Sequence, residues 1–127
     1  MKVLLVDDEQ KFAQMLAKRL ELRGIETEVF FSGEKALEAV EQGSRFDVAI
    51  LDVKMPGIGG IELQQKLNQL DPRMRYIFVT GHGSDTDYAQ GASEVEHYLP
   101  KPLQIDVLIK TLERLAAERQ DASGSSA

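Results

Sequence analysis

The sequence predicts a doubly wound α/β domain, a three-layer sandwich with a parallel five-stranded sheet between two layers of helices. Three observations predict it. Short apolar runs alternate with amphipathic stretches along the chain, which is the pattern of successive βα units joined by right-handed crossovers. The stretch Phe46 to Leu51 is the most uniformly apolar, as expected for a strand with both sheet faces covered. Four of the runs lead into a residue that can handle phosphate or a cation: Asp7-Asp8, Asp52, Thr80 and Lys101. Ligands of open α/β sheets bind beyond the carboxyl ends of the strands.

Each element has its own justification. Val3 to Val6 reads as a buried strand. A helix is predicted from Gln10 to Leu22, with Phe12, Met15, Leu16 and Leu20 as its apolar stripe. Gly24 suits the left-handed position that ends it. Thr27 to Phe31 is a less apolar strand, suited to a sheet edge. Ser32 is the expected N-cap of the second helix, which turns Ala36, Leu37 and Val40 inward. Phe46 to Leu51 is the central strand. Met55-Pro56-Gly57-Ile58-Gly59-Gly60 is a turn-rich loop, and the third helix carries Leu63, Leu67 and Leu70. Arg75 to Val79 and Val95 to Leu99 are the fourth and fifth strands. The last helix runs from Leu103 to about Arg119, with Ile105, Leu108, Ile109, Leu112 and Leu115 inward. Between Gly81 and Glu94, three glycines and few apolar residues predict a short or poorly ordered fourth helix.

Composition bounds the function. The 127 residues fit one domain, expected over 1–119, with 120–127 as a flexible tail or linker stub. Hydrophobic residues make up 43%, a globular share. The absence of cysteine excludes disulfides, thiolate metal sites and cysteine nucleophiles. A net charge of −6, from 21 acidic and 15 basic residues, argues against direct nucleic-acid binding by this chain. No apolar run approaches the ~20 residues that span a bilayer, and no signal peptide is visible, so a soluble cytoplasmic protein is expected.

If the strand order is 2-1-3-4-5, Asp7-Asp8 and Asp52 face each other across the switch point between the first and third strands. Two like charges ~4 Å apart repel by several kcal/mol at an effective dielectric near 20, so such a cluster suits a hard cation such as Mg²⁺. Capping of the first helix is the competing reading for Asp7-Asp8; Asp52, in the same position on another strand, favours the metal. Lys101, between Pro100 and Pro102, sits in a constrained turn that can aim an ammonium into the crevice, and a Lys-Pro bond can be cis at ~0.5–1 kcal/mol. Thr80 alone reads as a strand residue able to donate its hydroxyl to phosphate. Tyr98 alone reads as a half-buried core aromatic. His82 and His97 have no metal-ligand spacing and are assigned no catalytic role.

These segments together resemble the receiver domain of two-component response regulators. The matching residues are Val6-Asp7-Asp8-Glu9, Leu51-Asp52-Val53-Lys54-Met55-Pro56-Gly57, Val79-Thr80-Gly81 and Tyr98-Leu99-Pro100-Lys101-Pro102. The resemblance covers about Met1 to Glu118. It implies a CheY-like, flavodoxin-like (βα)5 fold in which Asp52 accepts a phosphoryl group from a histidine kinase, a phosphotransfer protein or a small phosphodonor. It further implies that Asp8, Asp52 and the backbone carbonyl of Lys54 bind Mg²⁺, with Asp7 acting mainly through a bound water. Lys101 would pair with the phosphoryl oxygens. Thr80 and Tyr98 would relay the signal to the face made by the fourth helix, fifth strand and fifth helix. Such a domain catalyses its own phosphorylation and dephosphorylation without turning over external substrates. It controls an output domain or downstream protein as a monomer or a phosphorylation-dependent dimer. Gly81 is small and leaves Asp52 accessible, while Lys54 and His82 flank the site.

Three other readings compete. A haloacid-dehalogenase-type phosphatase would carry an acidic residue two positions after the nucleophile, where Lys54 stands. A mononucleotide binder would want small hydroxyl residues where Asp7-Asp8-Glu9 would repel phosphate. A receiver that has lost phosphorylation would lack some of the five expected site residues, all of which are present.

Overall fold

The computed structural model of the chain describes residues 1–81 and 97–124. In chain order the elements are β1 (Lys2–Val6), α1 (Gln10–Leu22), β2 (Glu26–Phe30), α2 (Gly33–Glu41), β3 (Val48–Asp52), α3 (Gly60–Leu70), β4 (Arg75–Thr80), β5 (Tyr98–Pro100) and the last helix, α4 (Ile105–Gly124). The strands form one parallel sheet in the order β2-β1-β3-β4-β5. The sheet is therefore the predicted doubly wound one, with β3 central and β2 at an edge. The helix predicted between Gly81 and Glu94 falls almost wholly outside the described residues, as does the start of the predicted fifth strand.

Alternation along the strands sorts the core into two halves. Val3, Leu5, Val48, Ile50, Ile77 and Val79 face α1 and α4, where they meet Leu16, Leu20, Leu108, Leu112 and Leu115. Leu4, Val6, Ala49, Leu51, Tyr76 and Phe78 face α2 and α3, where they meet Ala36, Val40, Leu63 and Leu67. Since both faces are covered, β3 is buried along its whole length, which explains its continuous apolar run.

Helix ends follow local chemistry. Gly24 adopts φ +79 just beyond α1, and its amide donates to the Glu21 carbonyl at 2.9 Å, so glycine supplies the left-handed conformation that closes the helix. Ser32 Oγ accepts from the Lys35 amide at 3.3 Å, the expected N-cap.

Some inward assignments shift. In α1 the buried residues are Ala13, Leu16 and Leu20, while Met15 is 48% exposed. Met15 lies one position, or about 100° of helix, away from Leu16; its hydrophobicity pulled the expected stripe sideways and hid the small Ala13. Leu70 at the end of α3 is also exposed. Strand β5 has three residues and ends in Pro100. Proline is tolerated there because β5 is an edge strand. Helix α4 continues to Gly124, beyond the expected end near Arg119.

At the sheet end opposite the acidic strand ends, Asp47 ties three elements together. It exchanges backbone and side-chain hydrogen bonds with Lys2 at the start of β1, and its carbonyl accepts from the Arg75 amide at the start of β4. Arg119 of α4 reaches Asp47 Oδ1 at 3.3 Å and Asp71 Oδ2 at 3.6 Å.

Candidate functional site

The strand order places the ends of β1 and β3 side by side, with β4 next to β3. Asp7 follows β1 directly, and its amide extends the ladder to the Phe30 carbonyl at 3.1 Å. Asp52 is the last residue of β3, paired in register with Val79. Both are buried, Asp7 to 1% and Asp52 to 6% relative exposure. Asp8 is exposed at the rim. One carboxylate oxygen from each of Asp7, Asp8 and Asp52 lies within 4.8 Å of the others. The three acids singled out in the sequence are therefore one cluster.

Backbone close to Asp52 admits no side chain. A Cβ on Gly60, the first residue of α3, would stand 2.3 Å from the Asp52 carbonyl oxygen. The Gly60 amide also donates to the Val53 carbonyl at 3.1 Å. The start of α3 is thus seated directly on the chain that carries Asp52, and Gly57, at φ +74, makes the intervening loop turn.

The Lys101–Pro102 peptide bond is cis. The Lys101 amide donates to the Thr80 carbonyl at 2.8 Å, which docks this turn on the end of β4. From there Lys101 Nζ reaches Asp7 Oδ2 at 3.0 Å and also Glu9 Oε1. It lies 4.5 Å from the centroid of the Phe12 ring, an attractive cation–π arrangement. Thr80 sits half-buried between the Asp52 and Lys101 sides of the crevice. Tyr98 is half-buried and stacks on Phe78. Lys54 is exposed in the loop after β3. His97 lies against Arg114, whose Nη2 is 3.3 Å from both ring nitrogens. His82 is outside the described residues.

Burial and charge crowding set the electrostatics. Burial, and next the neighbouring charge of Asp7, push the Asp52 pKa up from 3.8 to about 7, against the opposing pull of Lys101. Burial also raises Asp7, although the Glu9 amide and Lys101 favour its charged form. Burial disfavours the Lys101 ammonium, but hydrogen bonds to Glu9 and Asp7 and the nearby charges of Asp7 and Asp52 outweigh it and raise its pKa. Without a further cation the cluster holds its negative charge at a cost. Its donors are hard carboxylate oxygens, and exposed Asp8 leaves a side open to solvent, so the residues fit a divalent ion that keeps part of its water shell.

Two residues of the site were not given a role from sequence. Glu9 and Phe12 both contact the Lys101 ammonium. A glutamate at an N-cap position, where serine, threonine, aspartate or asparagine is favoured, was the available signal for Glu9.

A parallel sheet in this order, with carboxylates and a lysine gathered at its switch point, defines an α/β domain equipped for a cation and a phosphoryl group. The comparisons with known proteins agree. The response regulator receiver domain profile matches residues 3–113. The DNA-binding transcriptional regulator NtrC of Escherichia coli is 34% identical over 124 residues, covering 94% of this chain and 25% of that protein. A response regulator receiver domain protein from Clostridium thermocellum is 30% identical with TM-score 0.86, covering 94% of this chain and 96% of the other. The response regulator protein TrrA from Thermotoga maritima, crystallised with Mg²⁺-BeF, is 27% identical with TM-score 0.79, covering 90% and 97%. The chain belongs to the receiver domain family of two-component response regulators. It spans a quarter to about half of the length of the curated relatives it matches. Among the described residues no helix is long and apolar enough to cross a membrane.

Proposed function

We propose that Asp52 is the phosphoacceptor of this receiver domain. The observation that carries the reading is the position of Asp52, buried at the end of the central strand, with two further carboxylates and Lys101 arranged around it. An Asp52 carboxylate oxygen attacks the phosphorus of the donor. The bond from phosphorus to the donor's leaving group breaks, the leaving group takes the electron pair, and Asp52 becomes an acyl phosphate. Phosphoryl transfer asks mainly for positioning and charge stabilisation. The rigid end of β3 supplies the first, and Lys101 contributes to the second.

Asp8, Asp52 and the Lys54 carbonyl would hold Mg²⁺, with Asp7 acting through water. When bound, the ion neutralises charge on the phosphoryl oxygens. The Thr80 hydroxyl would donate to the phosphoryl group. Tyr98, on the neighbouring strand, would carry the change outward to the face around β5 and α4. The donor would be a sensor histidine kinase, a phosphotransfer protein or a small phosphodonor. The response would pass to an output domain or a downstream protein, through a monomer or a phosphorylation-dependent dimer, in the cytoplasm. The domain, taken as residues 1–119, would turn over no external substrate beyond its own phosphorylation and dephosphorylation.

Incubation with acetyl phosphate and Mg²⁺, read by intact mass, tests the reading. A gain of ~80 Da that disappears in Asp52→Ala supports it. A gain that persists in Asp52→Ala, or none in the wild type, contradicts it.

A further inference from the structure

We propose that Glu9 is a positioning residue that competes with the phosphoryl group for Lys101. This inference rests on the phosphoacceptor reading of Asp52 and adds a control that the reading does not contain.

Glu9 occupies the N-cap position of α1, yet its side chain makes no capping hydrogen bond. A short side chain would serve the cap better. The longer glutamate instead spans to Lys101 Nζ. Its backbone is fixed to the same centre, because the Glu9 amide donates to Asp7 Oδ1 at 2.9 Å. Asp7 Oδ2 in turn meets Lys101. The ammonium is thus held on three sides, by Asp7, by Glu9 and by the Phe12 ring. All three lie on β1, α1 or the turn between them, on the Asp7 side of the crevice.

The two carboxylates are not equivalent. Asp7 is buried and belongs to the acidic cluster, so a cation bound there draws on its charge. Glu9 is 63% exposed and lies outside the cluster, and it remains available to Lys101 when a cation is bound. An ammonium that must neutralise phosphoryl oxygens on Asp52 first gives up, or shares, its pairing with Glu9. Glu9 therefore holds Lys101 in its resting position and lowers the affinity of the site for the phosphorylated state. Phe12 adds to the same hold through its ring face.

Affinity for beryllofluoride, an acyl-phosphate mimic, measured by fluorine NMR at saturating Mg²⁺, tests this on the full chain. Glu9→Gln should bind about fivefold tighter than the wild type, the scale of one partly exposed ion pair. Loss of a negative charge near an anion site could tighten binding by field alone, so Glu9→Asp is the discriminating variant. It keeps the charge but falls one methylene short of Lys101, and it should tighten binding as Glu9→Gln does. In a Lys101→Ala background the Glu9→Gln effect should vanish, since coupled residues are non-additive. Wild-type affinity in Glu9→Asp, or a full Glu9→Gln effect without Lys101, overturns the inference and leaves the role of Asp52 standing. A wild type that binds no beryllofluoride with Mg²⁺ overturns the phosphoacceptor reading and this inference with it.

Discussion

Phe78 and Tyr98 face each other in the β4–β5 ladder and stack, with ring centroids 5.3 Å apart and planes inclined by 23°. Phe78 is fully buried at the centre of β4, whereas Tyr98 is half-buried on the edge strand. The pair therefore joins a fully buried core ring to a half-buried one, two residues before Thr80 on one strand and three before Lys101 on the other.

Tyr98→Leu should cost about 0.5–1.5 kcal/mol in urea unfolding from the lost stacking alone. Tyr98→Phe keeps the stacked ring and should cost less than Tyr98→Leu. The chain has no tryptophan, so tyrosine emission is readable. Beryllofluoride with Mg²⁺ should change that emission in the wild type and not in Tyr98→Phe. A change that survives in Tyr98→Phe would place the moving tyrosine elsewhere.

The pKa of Asp52, raised from 3.8 to about 7, gives the metal-free protein a pH signature. The folded state binds this proton more tightly than the unfolded chain. Its stabilising contribution is therefore fully present below about pH 4 and is lost as pH rises through about 7. Asp52→Asn removes the buried charge and should stabilise the metal-free protein at pH 8 by about 1–3 kcal/mol. At pH 5, where the unfolded chain is already ionised but the folded one is not, the difference should be less than half as large. Thermal unfolding in a chelator at both pH values checks this, and equal differences would contradict it.

Gly60→Ala should damage the fold and the site together. The new Cβ would meet the Asp52 carbonyl oxygen at 2.3 Å and the Val53 Cα at 3.1 Å, and both are backbone atoms that cannot swing away. A cost of about 1–3 kcal/mol is expected, with phosphorylation by acetyl phosphate roughly tenfold slower or worse as Asp52 is displaced. Urea unfolding and the rate of mass gain read the two effects separately.

Arg119→Ala should separate stability from chemistry. Arg119 joins α4 to Asp47 and to Asp71, which is buried, at the sheet end opposite Asp52. Its loss leaves a buried carboxylate poorly compensated and should cost about 1–2 kcal/mol. The rate of phosphorylation should not change. A slowed rate in a fully folded variant would mean that this end of the sheet communicates with the site.

Much of this was legible in the sequence because local chemistry and the global pattern agree. Gly24 and Ser32 end and begin helices as their types require, and the apolar run of β3 announced a strand buried on both sides. The clustering of strand ends was readable because Asp7-Asp8 and Lys101 come just after strands while Asp52 and Thr80 end them, and the strand order then brings these ends together. Met15 was misplaced because hydrophobicity outweighed a one-position phase difference that only packing resolves. The hold of Glu9 and Phe12 on Lys101 was hidden, since it joins residues about ninety apart through side-chain reach rather than through strand register.

The most direct measurement is borohydride reduction of the protein after treatment with acetyl phosphate and Mg²⁺, followed by peptide sequencing by mass spectrometry. Hydride reduces an acyl phosphate to an alcohol and leaves free carboxylates untouched. Homoserine in place of Asp52, with Asp7, Asp8 and Glu9 unmodified, is the predicted result. Homoserine at another acidic position, or intact Asp52 in protein that has gained the phosphoryl mass, would contradict the assignment.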